Sequence, residues 1–247
     1  MKTRIDKLLV ERGLAPSRER AQAMILAGKV LVNQQKVEKS GALVEGNASI
    51  RLLGEDLRYV SRGGLKLERV LQHWSIDVSG RVCMDIGAST GGFTDCLLQH
   101  GAALVIAVDT GYGQIDLRLR NDPRVRLLEK TNARYLRRED AGEAVELIAM
   151  DVSFISATLV LPAVMQAAGE KLESIVVLVK PQFEAGREWV GKGGIVRDPA
   201  AQQAAVDKVR AALRELGWGK ADVIDSPILG AEGNREFLLY ARRDGPE

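Results

Sequence analysis

The chain has 247 residues, of which 46% are hydrophobic, and its formal net charge is only +2. That length allows at least one full hydrophobic core. So small a net charge does not by itself indicate nucleic-acid binding. No apolar run approaches the roughly 18 residues of a membrane helix. A charged opening segment argues against a secretory leader, and Cys83 and Cys96 lack zinc or redox spacing, so we expect a soluble, cytoplasmic protein without a metal ion.

The first sixty residues predict a small α+β module. Apolar residues at helical spacing indicate a helix over 4–12, and Ser17 is a good N-cap for a second helix that Gly28 can end. Valines at 30, 32 and 37 alternate around a turn at 33–36 and predict a hairpin, with further short strands to about Val60. Residues 1–30 hold seven Lys/Arg against three Asp/Glu. Either an RNA- or DNA-binding patch or an ordinary solvated helix face would explain that charge.

From residue 81 onward, predicted strands alternate with helices. This alternation indicates an α/β domain with a parallel, doubly wound sheet. The predicted strands, with a closing hairpin formed by the last two, are Arg81–Ile86, Leu104–Asp109, Val125–Glu129, Leu147–Asp151, Ser174–Lys180, Ala221–Asp225 and Glu236–Arg242. The clearest helices are Phe93–Gln99 and Ala201–Leu216. We therefore predict a first domain at 1–60, a linker at 61–64 and a second domain at 65–247.

A glycine-rich loop directly follows the first of these strands, with the pattern Asp85-x-Gly-x-x-x-Gly-Gly. Its spacing differs from the GxGxxG of dinucleotide sites, and it lacks the Gly-Lys-Ser/Thr of a phosphate-binding loop. It resembles the first motif of class I methyltransferases, in which the acidic residue and the loop backbone receive the methionine part of S-adenosylmethionine. Asp109 ends the next strand, where a carboxylate can accept hydrogen bonds from ribose hydroxyls.

Loop and carboxylate together predict an adenosyl cofactor; a nicotinamide enzyme would share Asp109 but fits the loop poorly. Asn132 follows the third strand, where it either reaches the adenine or serves only as a turn residue. The candidate cofactor-binding residues are Asp85, Gly87, Ala88, Ser89, Gly91, Gly92, Phe93, Asp109 and Asn132.

The fourth and fifth strands carry the candidate reacting groups. The fourth ends Met150-Asp151-Val152-Ser153-Phe154, without the Asn/Asp-Pro-Pro-aromatic segment of methyltransferases that modify exocyclic amines, so another nucleophile is expected. The fifth ends at Lys180, which places a lysine beside Asp151. A ribose 2′-hydroxyl needs alignment and removal of its proton, and a partly desolvated lysine can accept one. Lys66 and Glu236 are further candidates, with solvated salt bridging as the alternative for all four.

Four longer segments resemble the TlyA (hemolysin A) proteins, which are FtsJ-like ribosomal RNA methyltransferases with an N-terminal S4 domain. The segments are Arg62–Leu67, Asp85–Thr94, Asp109–Gln114 and Leu178–Glu184. The resemblance implies a class I (Rossmann-like) domain that uses S-adenosylmethionine to methylate a cytidine 2′-hydroxyl of ribosomal RNA in assembled subunits. It also implies that the Lys-Asp-Lys-Glu tetrad of this group falls on Lys66, Asp151, Lys180 and Glu236. Lys180 would bind and activate the hydroxyl.

The N-terminal module resembles an S4 RNA-binding domain, through the segments Arg4–Leu9, Ser17–Ala21 and Gly28–Asn33. The resemblance implies that four basic residues contact phosphates and recognise folded RNA by shape: Arg4, Arg18, Arg20 and Lys29. One departure is the pair Gln34–Gln35, where such modules commonly carry glycine. The segment 186–194 is either a basic loop over the substrate or a mobile connection.

Three other functions stay open at this point. A membrane-lytic toxin, suggested by the family name, has no supporting targeting segment, membrane span or strongly amphipathic cationic helix. A non-catalytic ribosome assembly factor that merely holds S-adenosylmethionine would not need the four charged candidates. A base methyltransferase would give a product that ribose-specific detection misses.

Overall fold

A computed structural model of the protein describes residues 2–53, 58–230 and 233–243. The chain divides into two compact units, Met1–Asp56 and Leu57–Glu247. The predicted linker, 61–64, lies within the second unit, where Gly63 begins a helix. The short strands predicted up to about Val60 fall partly on 54–57, outside the described residues.

The first unit contains two helices and two small antiparallel sheets, one pairing its first and fourth strands and the other its third, second and fifth. Its elements are β1 (Lys2–Arg4), α1 (Ile5–Glu11), α2 (Arg18–Leu26), β2 (Val30–Val32), β3 (Gln35–Lys36), β4 (Leu43–Glu45) and β5 (Ile50–Leu52). Both predicted helices are confirmed, and the Ser17 hydroxyl caps α2 by accepting from the backbone N–H of Arg20 at 3.2 Å. Ile5, Leu9 and Ile25 are completely buried and anchor the core of this unit.

The predicted hairpin is β2–β3, and its turn has no glycine. Asn33 and Gln34 both adopt left-handed backbone conformations, with φ of 49° and 68°. A left-handed conformation costs a non-glycine residue roughly 1–2 kcal/mol. Backbone hydrogen bonding to Ser49 and a side-chain bond from the Ser49 N–H to Asn33 Oδ1, at 3.0 Å, hold the turn in place.

The second unit is built on one seven-stranded sheet, as the alternating pattern predicts. Its strands are β6 (Val82–Ile86), β7 (Leu104–Val108), β8 (Val125–Leu128), β9 (Leu147–Met150), β10 (Ser174–Val179), β11 (Lys220–Asp225) and β12 (Phe237–Arg242). The spatial order is β11-β12-β10-β9-β6-β7-β8. The five strands from β10 to β8 are parallel, and the antiparallel pair β11–β12 extends the sheet beside β10.

Helices cover both faces of this sheet, as parallel strands require. They are α3 (Gly63–His73), α4 (Gly92–Gln99), α5 (Leu117–Arg120), α6 (Arg138–Ala141), α7 (Leu161–Ala168), α8 (Pro181–Glu184) and α9 (Pro199–Glu215). On one face, Met84, Ile148 and Val177 pack in a core that includes α7 and α9. On the other, Cys83 and Leu147 pack with α3 and α4. Across the described part of the chain, no helix is both long and apolar enough to span a membrane.

Candidate active site

The loops that follow β6, β7, β9 and β10 all leave the sheet at the carboxyl edge of its parallel strands. The first passes so close to the β9 loop that a Cβ atom at Gly87 would collide with the backbone oxygen of Asp151. Gly87 also has a φ of 85°, and Gly91, the N-cap of α4, has a φ of 95°. Glycine is therefore required at both positions for this loop to follow its path.

Asp109 organises the cofactor side of this edge. Its Oδ2 accepts from the Ser89 backbone N–H at 2.8 Å, and its Oδ1 accepts from the Gly111 N–H at 2.6 Å. With Gly87, it lines a cavity of about 430 Å³ between the β6, β7 and β9 loops. Asn132 caps a short 3₁₀ turn by accepting from the Arg134 N–H, which confirms its role as a turn residue. It also lines the same cavity, and its contact with the adenine stays a prediction.

Asp85 lies beneath the glycine-rich loop, and its role in cofactor binding stays a prediction. Its side chain is completely buried, it accepts from the backbone N–H and the hydroxyl of Thr94 at 2.8 and 2.6 Å, and it lines neither this cavity nor its neighbour. Burial raises its pKa to about 7, opposed by the Thr94 hydrogen bonds and reinforced by the nearby charge of Asp151. In this structure Asp85 supports the loop from beneath, and Gly91 likewise lines neither cavity.

A second cavity, of about 240 Å³, lies against the other side of the glycine-rich loop. Lys66 of α3 and Asp151 both line it, although 85 residues of sequence separate them. The loop residues that line it include Gly87, Ala88, Ser89, Gly92 and Phe93. Since Gly87, Ser89 and Asp151 line both cavities, the two adjoin at the centre of the candidate site.

The four candidate catalytic residues form two ion pairs. Lys66 Nζ lies 2.6 Å from Glu236 Oε2, and both side chains are buried. Lys180 Nζ lies 2.5 Å from Asp151 Oδ1 and donates to the Ser153 hydroxyl at 2.8 Å. Lys180 and Asp151 end neighbouring strands, as the sequence predicts, because β9 and β10 pair in parallel register.

Phe154 is a site residue that the sequence reasoning did not select. It follows Ser153, has a left-handed φ of 64° and is 92% exposed. Its ring lies 5.3 Å from that of Phe183, centroid to centroid, and it lines the larger cavity. The available signal was an aromatic residue shortly after the fourth strand, in the segment that lacks a proline pair.

Glu184 was also missed as a site residue. Its carboxylate is buried and accepts from the Ala157 backbone N–H at 2.6 Å and from the Ser156 hydroxyl at 2.5 Å. Lys208 of α9 balances its charge at 3.3 Å. Glu184 therefore ties the segment after β9, which carries Asp151, to the segment after β10, which begins with Lys180.

The four predicted RNA-binding residues all lie in the first unit. Arg4 and Arg18 come together on one carboxylate, that of Asp6. Arg20 lies in the first turn of α2, and Lys29 immediately precedes β2. Asp6 lies within the Arg4–Leu9 segment, whose pattern predicts no role for it.

Comparison with known proteins finds relatives of both units. Residues 59–243 match the model of the FtsJ-like methyltransferases, and residues 3–50 match the S4 domain. The chain is 46% identical to the 16S/23S rRNA (cytidine-2′-O)-methyltransferase TlyA of Mycobacterium tuberculosis, over 98% of this chain and 90% of that protein. It is 41% identical to hemolysin A of Brachyspira hyodysenteriae, over 96% of this chain and 98% of the relative.

Solved structures give the same result for the fold. A protein of Streptococcus thermophilus that carries the name hemolysin superposes with a TM-score of 0.74 at 43% identity, covering 99% of this chain and 90% of its own. An S-adenosylmethionine-dependent methyltransferase of Mesorhizobium loti superposes with a TM-score of 0.51 at 16% identity, covering 70% of this chain and 96% of its own. The second likeness concerns the fold alone.

Proposed function

Because the chain belongs to the TlyA (hemolysin A) family of FtsJ-like methyltransferases with an S4 domain, we propose that it methylates the 2′-hydroxyl of a cytidine in ribosomal RNA. Ribosomal subunits would be the substrate. The observation that carries the proposal is the contact of Lys180 with both Asp151 and Ser153. These two residues line the larger of the two cavities. A lysine held there has the chemistry to bind a hydroxyl and to take its proton.

The residues present fit S-adenosylmethionine, which supplies an electrophilic methyl group on a sulfonium. Each oxygen of Asp109 accepts one backbone N–H and keeps a lone pair, so the carboxylate can also accept from ribose hydroxyls. The backbone from Gly87 to Phe93 would receive the methionine part, with Asn132 on the adenine side. Asp109 and Asp151 place negative charge at this edge of the sheet, which complements a sulfonium.

Lys180 is the proposed catalytic residue. Asp151 and Ser153 fix its Nζ from two sides, so the lysine needs little reorganisation to orient the acceptor hydroxyl. S-adenosylmethionine, when bound, would supply the methyl group, and Lys180 would orient the 2′-hydroxyl and receive its proton as the new bond forms. Lys66, paired with Glu236, borders the adjoining cavity and would position the ribose.

Phe154 would contact the acceptor base. Its exposed ring stands beside Ser153, and aromatic rings bind splayed-out RNA bases by stacking. The left-handed backbone that presents this ring is costly for phenylalanine, which is the pattern of strain retained at functional sites.

The test is methyl transfer from labelled S-adenosylmethionine to ribosomal subunits that lack the modification, with the product nucleoside identified by mass spectrometry. We expect a 2′-O-methylated cytidine from the wild-type chain and from Lys171→Ala, an exposed lysine at the opposite edge of the sheet. Lys180→Ala should give almost none. A target nucleotide with 2′-deoxyribose separates the classes, because a base methyltransferase would still modify it. Cofactor binding without transfer to either subunit would favour an assembly factor.

A further inference from the structure

Asp6 is a completely buried carboxylate in the small first unit, at the start of α1. Arg4 binds it in fork geometry, with Nε donating to Oδ1 and Nη2 donating to Oδ2, both at 3.0 Å. Arg18, from the first turn of α2, donates its Nε to the same Oδ2 at 2.9 Å. Gln22 adds a further hydrogen bond to Oδ2 at 3.0 Å.

The two arginines come from different elements, yet they share one carboxylate oxygen. Two guanidinium groups so close together repel one another unless an anion lies between them. The bonds to Asp6 use Nε and Nη2 of Arg4 and only Nε of Arg18, so they leave the other Nη groups of both arginines unused. Since the two side chains are 41% and 45% exposed, the cluster offers guanidinium N–H donors to a ligand outside.

These donors suit a phosphate group. The cluster of two arginines and one carboxylate carries a net positive charge, and adjacent guanidinium groups can each donate to phosphate oxygens. Long side chains lose conformational freedom when they bind, and that loss is smaller when the free protein already holds them. The arginine contacts also keep the pKa of Asp6 well below its usual range, so the carboxylate stays charged at working pH.

We propose that Asp6 is a positioning residue for RNA binding, because it holds Arg4 and Arg18 as a preformed pair for a backbone phosphate. This inference rests on the proposed function only in taking ribosomal RNA as the ligand. It predicts that replacing Asp6 changes RNA affinity in the opposite direction from that expected of the charge change alone. Removing an acid from a basic surface should strengthen RNA binding, whereas removing the residue that positions the arginines should weaken it.

The experiment measures the dissociation constant of the full chain for a structured ribosomal RNA fragment over a series of KCl concentrations. Asp6→Asn should bind about tenfold more weakly than wild type, with a shallower salt dependence because fewer phosphate contacts form. Glu11→Gln is the matched control: it removes the same charge from an exposed position on the same helix and should bind as tightly as wild type or slightly tighter. Binding by Asp6→Asn as tight as that of Glu11→Gln would overturn the proposal.

Arg18→Lys keeps Asp6 and the charge in place, so it tests the proposal even if Asp6→Asn perturbs the fold of the first unit. Lysine cannot reproduce the guanidinium geometry, and we expect weaker binding with unchanged thermal unfolding. Wild-type affinity in Arg18→Lys would contradict a preformed pair. Methyl transfer is measured separately, so a wild-type chain that binds RNA without methylating it would refute the proposed function and leave the Asp6 comparison intact.

Discussion

The two lysine–carboxylate pairs of the second unit have the same chemistry in different settings. Lys66 and Glu236 are 10% and 2% exposed, whereas Lys180 and Asp151 are 12% and 22% exposed. Lys180 also contacts the Ser153 hydroxyl. In the closed pair, Lys66–Glu236, burial keeps the two charged groups bound to each other. In the more open pair, Lys180–Asp151, either group can exchange its partner for a ligand. This difference supports the proposal that Lys180 handles the proton and that the Lys66–Glu236 pair has a positioning role.

The largest effect that this comparison predicts is on the rate at Lys180. Lys180→Met should lower kcat for methyl transfer about 10³-fold, within the range of a lost general base. The free energy of unfolding should change little, since Asp151 remains partly exposed to water. Single-turnover transfer and chemical denaturation measure the two quantities. A fall in stability comparable to that of a Lys66 variant would show that the two pairs do not differ as proposed.

Breaking the closed pair should affect the free energy of unfolding strongly, whereas breaking the open pair mainly affects kcat. Lys66→Met leaves the Glu236 carboxylate buried without its cation and should lower the free energy of unfolding by about 3 kcal/mol. The double variant Lys66→Met/Glu236→Leu should recover most of that stability but not the methyl-transfer activity. Denaturant unfolding of wild type, both single variants and the double variant completes the cycle. Full methyl-transfer activity in the folded double variant would show that the Lys66–Glu236 pair has no part in the reaction.

The sequence predicted the open pair better than the closed one, for a physical reason. Asp151 and Lys180 end adjacent parallel strands, and the ends of such strands meet at one edge of the sheet. Glu236 lies 170 residues from Lys66, so only resemblance to a family linked them. The backbone conformation of Phe154 and the inward orientation of Asp85 also escaped prediction. Residue type does not reveal a left-handed φ, and the order of residues in a strand does not reveal which side of the sheet a terminal carboxylate faces.

Asp85 differs from the carboxylates of both ion pairs, because it is completely buried and its hydrogen bonds come from Thr94 rather than from a lysine. Its pKa is raised to about 7 from an ordinary value of 3.8, mainly by burial. Between about pH 4 and pH 7, the folded state therefore holds a proton that the unfolded state has lost. The resulting stabilisation is complete below about pH 4 and disappears as the pH rises through 7.

We expect the free energy of unfolding of wild type to fall relative to Asp85→Asn between pH 4 and 7, by at most about 1.4 kcal/mol per pH unit. Asparagine stays neutral and can still accept from Thr94. Denaturant unfolding of both proteins across this range measures the difference. Parallel pH dependence of the two proteins would show that Asp85 ionises normally.

The smallest predicted effect concerns Phe154, on the open pair's side of the site. Phe154→Leu should raise KM for ribosomal subunits about tenfold, because a leucine keeps apolar contact but loses the ring face on which a base stacks. Phe154→Tyr keeps that face and should stay near wild type in both kcat and KM. Steady-state transfer at saturating S-adenosylmethionine separates the two constants. If leucine and tyrosine were equivalent, the ring would act as a packing contact for Phe183, and the acceptor base would have to be held by another part of the site.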